Sequence, residues 1–206
     1  MTDAAEVDPG ELRADVAAIK DAMGIGDRYP GWRTPWLVFA AFVALAAAVS
    51  QYAVFAELPT LVYPATWAVS MTVAGVVVGL VVDGAGPAGR PAGAPDLTVQ
   101  FGAVFAAYVP LVTVVGPLAP DGYRAGVAVV LGLSLVLVGL AYAVLGSSLA
   151  AYRVRRRDRL PFYGGAVWMA ALGAAVPNVA ALRTWGFTAF GVAYVAYALL
   201  VYAWLR

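Results

Sequence analysis

Residues 126 to 159 read GVAVVLGLSLVLVGLAYAVLGSSLAAYRVRRRDR, and this stretch divides sharply into an apolar part and a basic part. The 25 residues from Gly126 to Ala150 contain no charge, whereas the final seven residues contain five arginines. Crossing the hydrocarbon core of a bilayer takes about 20 apolar residues in a helix that rises about 1.5 Å per residue. We therefore expect Gly126–Ala150 to form a transmembrane helix and the arginines to mark the membrane surface.

Five further stretches share this length and this lack of charge. Their ranges are 36–55, 61–82, 99–118, 163–182 and 186–205. The whole chain is 63% hydrophobic and 12% charged, whereas soluble domains are typically about 45–50% apolar and about 25% charged. In lipid, the backbone must satisfy its own hydrogen bonds. The sequence therefore predicts an all-α fold, a bundle of six transmembrane helices that occupies residues 35–206.

The distribution of basic residues predicts the orientation of this bundle, because cytoplasmic loops carry an excess of Lys and Arg. If both termini are inside, the inside segments hold 11 of the 13 basic residues. The outside loops then hold only Arg124 and Arg183. We therefore expect a multi-pass protein of the plasma membrane with both termini in the cytoplasm.

The run RVRRRDR lies on the predicted cytoplasmic side, and we considered three roles for it. Fixing the topology is the interpretation that we favour. Contact with a partner protein or with anionic lipid headgroups, at roughly 1 kcal/mol per residue for lipid, is the second. Nucleic-acid binding is not expected, because no aromatic platform or nucleic-acid-binding fold accompanies the run. The residues concerned are Arg153, Arg155, Arg156, Arg157 and Arg159.

Residues 1–34 form a polar, cytoplasmic segment that contains a predicted amphipathic helix at 9–23. Asp8 is a suitable N-cap, and Pro9 suits the first helical position. An apolar stripe with spacings of 4, 3 and 4 runs along this helix and consists of Leu12, Val16, Ile19 and Met23. Two heptads are marginal as a free helix in water, so we expect something to cover the stripe. The candidates are the bilayer surface, the protein's own bundle, and a partner helix from a second copy or from another protein.

The residue types present exclude several kinds of chemistry. The chain contains no Cys and no His, so disulfides, zinc sites of the Cys/His type and haem held by these residues are excluded. A serine hydrolase would lack its base, and no phosphate-binding glycine loop is present. The predicted spans contain no ionisable residue of the kind that marks proton-coupled transport. We therefore expect a protein that is not an enzyme and uses no cofactor or metal.

Polar side chains inside the predicted spans are few, and the three amides among them are the costliest to expose to lipid. We expect Gln51, Gln100 and Asn178 to face the bundle interior or to lie near an interface, and the functional alternative is that they line a cavity. Small residues favour the close approach of two helices, and we interpret two such patterns as packing motifs. They are GVVVG, from Gly75 to Gly79, and the pair Gly132 and Gly139, which share a helix face.

The order of elements resembles that of a loose group of small uncharacterised prokaryotic multi-pass membrane proteins. The resemblance depends on an amphipathic helix like ELRADVAAIKDAM before the first span, and on a basic loop before a closing hairpin like LPFYGGAVWMAALGAAV. It implies a membrane helix bundle, without a particular activity or site.

From the residues themselves, our first hypothesis is a scaffold or accessory subunit of a membrane complex that acts through the N-terminal helix and the basic loop. The second hypothesis is a small transporter or channel for a neutral or hydrophobic molecule.

Overall fold

The computed structural model describes residues 10, 15, 16, 19, 33–81, 95–118, 121–152 and 154–205, and all regular structure within these ranges is helical. This confirms the prediction of an all-helical chain. The α-helices are α1 (Arg33–Phe55), α2 (Val62–Val81), α3 (Leu97–Ala106), α4 (Tyr108–Val115), α5 (Tyr123–Ser148), α6 (Arg156–Ala175) and α7 (Ala180–Trp204), with a 3₁₀ turn at Gly116–Leu118.

Four of these helices, α1, α2, α5 and α7, are long and apolar enough to cross a membrane, and the chain is accordingly a helical membrane protein. Helices α3 and α4 have only 10 and 8 residues, because a turn at Ala107 separates them. Helix α6 has 20 residues, but its first turn carries four charged side chains, from Arg156 to Arg159.

The chain divides into two units, Met1–Pro30 and Gly31–Arg206. In the first unit, Val16 and Ile19 are helical and exposed. Leu12 and Met23, the other two members of the predicted apolar stripe, lie outside the described residues, as does Arg153 of the basic run.

Helix bounds differ most from the predicted spans in the last third of the chain. Helix α6 begins seven residues before the predicted span 163–182 and ends at Ala175. Proline has no N–H and its ring clashes with the preceding turn, so Pro177 ends the helix inside the predicted span. The connection to α7 therefore lies at 176–179, and the predicted turn at 183–185 lies inside α7. A charge-free stretch indicates which residues lie in the hydrocarbon core. It does not give the bounds of the helix, because a helix can continue beyond the hydrocarbon into water.

The closest packing in the bundle joins α5 to α6 through glycine. A Cβ atom at Gly132 would lie 2.6 Å from the carbonyl oxygen of Gly173, and a Cβ at Gly173 would lie 2.6 Å from that of Gly132. Seven and fourteen residues further along α5, a Cβ at Gly139 would meet the Ala166 oxygen at 2.9 Å, and one at Gly146 would meet Phe162 at 3.1 Å. The face that carries Gly132 and Gly139 is therefore a packing face, as the sequence predicts.

Helix α1 packs along α7 through a face of small residues. Ala40, Ala46 and Ala47 are buried on α1, and a Cβ at Gly191 of α7 would lie 2.8 Å from the Ala47 side chain. Small residues allow two backbones to approach closely, which increases the van der Waals contact that holds membrane helices together.

The turn after α1 is tight, and a tyrosine from α5 holds it. Glu57 has a φ of 49°, and the Leu58 N–H donates to the Ala53 oxygen over 3.0 Å, as in a Schellman helix end. The Tyr123 hydroxyl donates to the Leu58 oxygen over 2.6 Å and is 2.8 Å from the Tyr63 hydroxyl at the start of α2. One side chain thus connects the α1–α2 hairpin to the start of α5.

Candidate functional site

Contacts between helix termini group the charged residues at two ends of the bundle. At one end, the Arg33 guanidinium lies 4.5 Å from the centre of the Tyr202 ring, so the start of α1 meets the end of α7. Arg157 at the start of α6 lies 5.6 Å from the Trp204 ring centre and donates to the Trp204 carbonyl oxygen. We call this surface the arginine end and define it by Arg33, Arg155–Arg159, Tyr202 and Trp204.

Two guanidinium groups at the arginine end are incompletely satisfied. The Nε atoms of Arg33 and Arg159 are buried and have no hydrogen-bond partner. Arg33 contacts an aromatic face, and neither guanidinium is paired with a carboxylate within the described part of the chain. A partly buried cation with no carboxylate partner among the described residues is costly to the fold, so an anion bound beside either group would stabilise it.

The start of α6 adds to the positive potential of the arginine end. Its N-cap, Arg155, has no side-chain capping bond, and Asp158 is the acidic residue of the first turn. The N-terminus of a helix carries about half a positive charge, so cations in the first turn are unfavourable there. Arg156, Arg157 and Arg159 all lie in or next to that turn. A nearby anion would relieve this repulsion.

The opposite end of the bundle has a different character. An open depression of about 420 Å³ lies between the α1–α2 turn and the starts of α5 and α7. Its charged lining consists of Glu57, Asp121, Arg124 and Arg183, two acids and two bases. This end is balanced in charge, whereas the arginine end is strongly basic.

Between these ends, the side chain of Gln51 on α1 forms hydrogen bonds to the backbone of α7. Its Nε2 donates to the Thr184 carbonyl oxygen over 2.7 Å, and the backbone N–H of Thr188 donates to its Oε1 over 3.1 Å. In a regular helix the N–H of Thr188 would donate to the Thr184 oxygen. The Gln51 amide thus pairs with the N–H and the carbonyl oxygen that would bond to each other in a regular helix. Trp185, between the two threonines, is non-helical with φ −112° and ψ 16°.

The structure does not bring the three predicted amide side chains together. Gln51 is buried and bonds to α7 as described. Gln100 accepts a 2.7 Å hydrogen bond from the Ser148 hydroxyl, on the α3–α5 interface near the arginine end. Asn178 is exposed and donates to the Ala174 oxygen one turn earlier in its own segment. Their contacts therefore do not support a common cavity bordered by all three side chains.

An aromatic cluster fills the space between the arginine end and the middle of the bundle. Trp36 lies 5.3 Å from Phe162 and 6.0 Å from Tyr197, measured between ring centroids. The Tyr142 and Tyr194 hydroxyls share a 2.7 Å hydrogen bond. Tyr194 is buried within this cluster.

Sequence reasoning missed several partners in these sites. Arg33 appeared only as one of the inside basic residues, and the two threonines that hold Gln51 had no predicted role. One signal was available for Arg33, because it comes three residues before the predicted span 36–55 and so must lie near the membrane surface. Nothing local indicates that Gln51 and Thr188, which are 137 residues apart, form a bond.

Removal of the Tyr123 hydroxyl tests the connection at the opposite end. We expect Tyr123→Phe to lower the free energy of unfolding by about 1 kcal/mol, the usual net value of a side-chain hydrogen bond. The measurement is the midpoint of unfolding in mixed detergent and dodecyl sulfate, followed by tryptophan fluorescence. Tyr52→Phe is the matched control, because Tyr52 is 66% exposed, and its midpoint should not change. Equal midpoints for both variants would contradict the proposed connection.

Comparison with family models, curated proteins and solved structures finds no match for this chain. Its function is therefore inferred from the geometry and the charge of the residues described above.

Proposed function

We propose that the chain is a six-span integral protein of the plasma membrane, with both termini in the cytoplasm, and that it acts as a non-enzymatic scaffold or accessory subunit of a membrane complex. Helices α3 and α4, separated only by the turn at Ala107, together extend from Leu97 to Val115 and support a third span. The close glycine contacts of α6 with the membrane-crossing helix α5 support a fifth. The charge difference between the arginine end and the balanced end supports a cytoplasmic arginine end.

The observation that carries the assembly proposal is the incomplete packing of α2. In its most apolar 18 residues only 11% are buried, compared with 44% in α1 and in α5. A Cβ atom at Gly75 or Gly79 would meet nothing within 4 Å, whereas the glycines of α5 that face α6 are all in close contact. The GVVVG motif is thus a small-residue face against which no helix of the described part of the chain packs. A helix from another subunit would complete it.

The cytoplasmic N-terminal segment is the second surface of the proposed assembly. Val16 and Ile19 are 43% and 55% exposed, and both belong to the predicted stripe with Leu12 and Met23. Exposed apolar side chains on a marginal helix favour a helical partner, since the partner supplies the burial that stabilises the helix. The basic run beside the membrane is suited to acidic groups on such a partner.

Co-purification from native membranes in mild detergent tests the proposal. One variant replaces Leu12, Val16, Ile19 and Met23 with serine, and another replaces Gly75 and Gly79 with isoleucine. We expect a specific companion protein to co-purify with the wild type. At least one of these variants should lose that companion while its expression stays unchanged. The matched control replaces Gly102 and Gly116 with isoleucine, because a Cβ at either position also meets nothing within 4 Å. If all four forms purify alone and with the same size, the assembly proposal is wrong.

One observation favours the transport alternative, namely the break between α3 and α4. The segment turns at Ala107, and Pro110 follows within the first turn of α4. Interrupted helices form binding sites in many transporters. Swelling of proteoliposomes in glycerol, a small neutral solute, would test it. Uptake above that of protein-free vesicles, reduced by Pro110→Ala, would favour transport of a neutral solute over the scaffold role.

A further inference from the structure

We propose that the arginine end binds the phosphate of an anionic phospholipid headgroup, with Arg33 and Arg159 as its principal contacts. A lipid site at this end does not depend on the scaffold proposal, which needs a protein partner. The ligand is a membrane lipid, and inorganic phosphate is tested as a separate probe because it carries the same charged group.

The charge of the arginine end is complementary to that of an anionic ligand. The described charged residues at the starts of α1 and α6 are five arginines and one aspartate, Asp158. The helix dipole of α6 has the same sign as the arginines. An ion with one or more negative charges at this end would therefore be attracted by both side chains and backbone.

The hydrogen bonding of Arg33 and Arg159 also favours an anionic ligand. Each has a buried Nε without a hydrogen-bond partner, although each residue as a whole is partly exposed. The Nε of each guanidinium is therefore enclosed by the protein, while the side chain as a whole keeps some exposure to solvent. A planar guanidinium binds phosphate oxygens with its remaining N–H groups, which makes arginine a better phosphate ligand than a flexible lysine at a fixed site.

The position of the site along the helices indicates a lipid as the source of the phosphate. Arg33 and Arg159 each lie three residues before a buried aromatic side chain, Trp36 and Phe162, whose ring centroids are 5.3 Å apart. Tyr202 and Trp204 lie beside the arginines at the end of α7. Tyrosine and tryptophan concentrate at the headgroup level of membranes. The guanidinium groups are thus at the depth at which lipid phosphates lie.

Native mass spectrometry of the full chain, released from detergent, tests this site. The probes are dioleoyl phosphatidylglycerol, dioleoyl phosphatidylcholine and inorganic phosphate, each titrated separately. The test variant is Arg33→Gln with Arg159→Gln. The matched control is Arg124→Gln with Arg183→Gln, which removes the same charge from the opposite end of the bundle. A second test variant, Arg33→Lys with Arg159→Lys, keeps the charge and provides a measurement if the glutamine pair does not fold.

We expect the wild type and the control pair to bind phosphatidylglycerol in preference to phosphatidylcholine. The glutamine pair should bind phosphatidylglycerol about thirtyfold more weakly, because each arginine near anionic lipid contributes roughly a factor of five. The lysine pair should lose a smaller part of the affinity.

Three results would overturn the proposal. One is a wild-type protein with no preference between the two lipids. Another is an equal loss in the test and control pairs, which would mean that net charge alone attracts the lipid. The third is saturable binding of inorganic phosphate that excludes phosphatidylglycerol at equal concentration, which would make a free anion the ligand.

Discussion

Replacing Gly132 with valine is expected to lower the free energy of unfolding of the bundle by about 3 kcal/mol, the upper part of the usual range for overpacking. The added Cβ would lie 2.6 Å from the Gly173 oxygen and 3.1 Å from Cδ of Pro177. Neither is the end of a flexible side chain, so relief requires α5 and α6 to separate. Separation in turn removes the contacts that make α6 part of the bundle, because van der Waals packing is the main force between membrane helices.

A control on the same helix distinguishes this clash from a general effect of valine. Gly126→Val adds the same atoms to α5 at a position where a Cβ meets nothing within 4 Å. Its unfolding midpoint in dodecyl sulfate, followed by tryptophan fluorescence, should stay within experimental error of the wild type. Two valine variants with the same midpoint would show that the α5–α6 contact is not tight in the membrane protein.

The other glycines of the α5 face extend the prediction to a series. Gly139 would clash with the Ala166 backbone oxygen at 2.9 Å, and Gly146 with the Phe162 side chain at 3.1 Å. A longer distance means a weaker steric overlap. The loss of stability on substitution by valine should therefore decrease from Gly132 through Gly139 to Gly146.

The sequence was sufficient for the parts of the fold that depend on composition and period. The absence of charge over Gly126–Ala150 predicts α5, which the structure gives as Tyr123–Ser148. The spacing of Gly132 and Gly139 predicts a packing face, which is the one that meets α6. Both signals are local, since lipid exposure and helix period act on neighbouring residues.

Features that depend on distant parts of the chain were not predictable in the same way. The basic run was expected to lie in a loop, but residues 156–159 form the first turn of α6. Charge keeps these residues out of the hydrocarbon without preventing a helix in the headgroup region. Likewise, the kink at Trp185 has no helix-breaking proline beside it, and its partner Gln51 lies on α1. The sequence indicates that Gln51 needs a partner and does not indicate which one.

The same glutamine bears on the choice between the two functional hypotheses. A pore-lining amide must be free to exchange its hydrogen bonds with a solute. The Gln51 amide instead uses both of its polar atoms on α7, with a third bond to its Oε1 from the Thr188 hydroxyl at 3.2 Å. Its contacts are those of a structural link between α1 and α7, and they favour a static bundle over a transport path.

Substitution of Gln51 by methionine, which has a similar length and no amide, is therefore expected to destabilise the protein by about 2 kcal/mol. The N–H of Thr188 and the carbonyl of Thr184 lose their partner inside the bundle, and an unsatisfied buried group typically costs about 1–3 kcal/mol. Straightening α7 could pair these two groups with each other. That movement would disturb the Phe55–Trp185 and Tyr63–Phe187 ring contacts, whose centroids are 5.0 and 5.4 Å apart.

Hydrogen exchange measures the expected local change in α7. Unfolding in dodecyl sulfate measures the expected change in overall stability. In Gln51→Met, amide exchange should become faster in peptides that cover the first two turns of α7, from Ala180 to Thr188, and should stay unchanged in α5. Asn178→Leu is the control, because that exposed amide bonds only to a carbonyl oxygen of its own segment, and it should change stability by less than about 0.5 kcal/mol. If Gln51→Met matches this control in both measurements, α7 does not depend on Gln51 for its kink. The link between α1 and α7 would then consist of side-chain packing, at Ala47 and Gly191 and in ring contacts such as Phe55–Trp185.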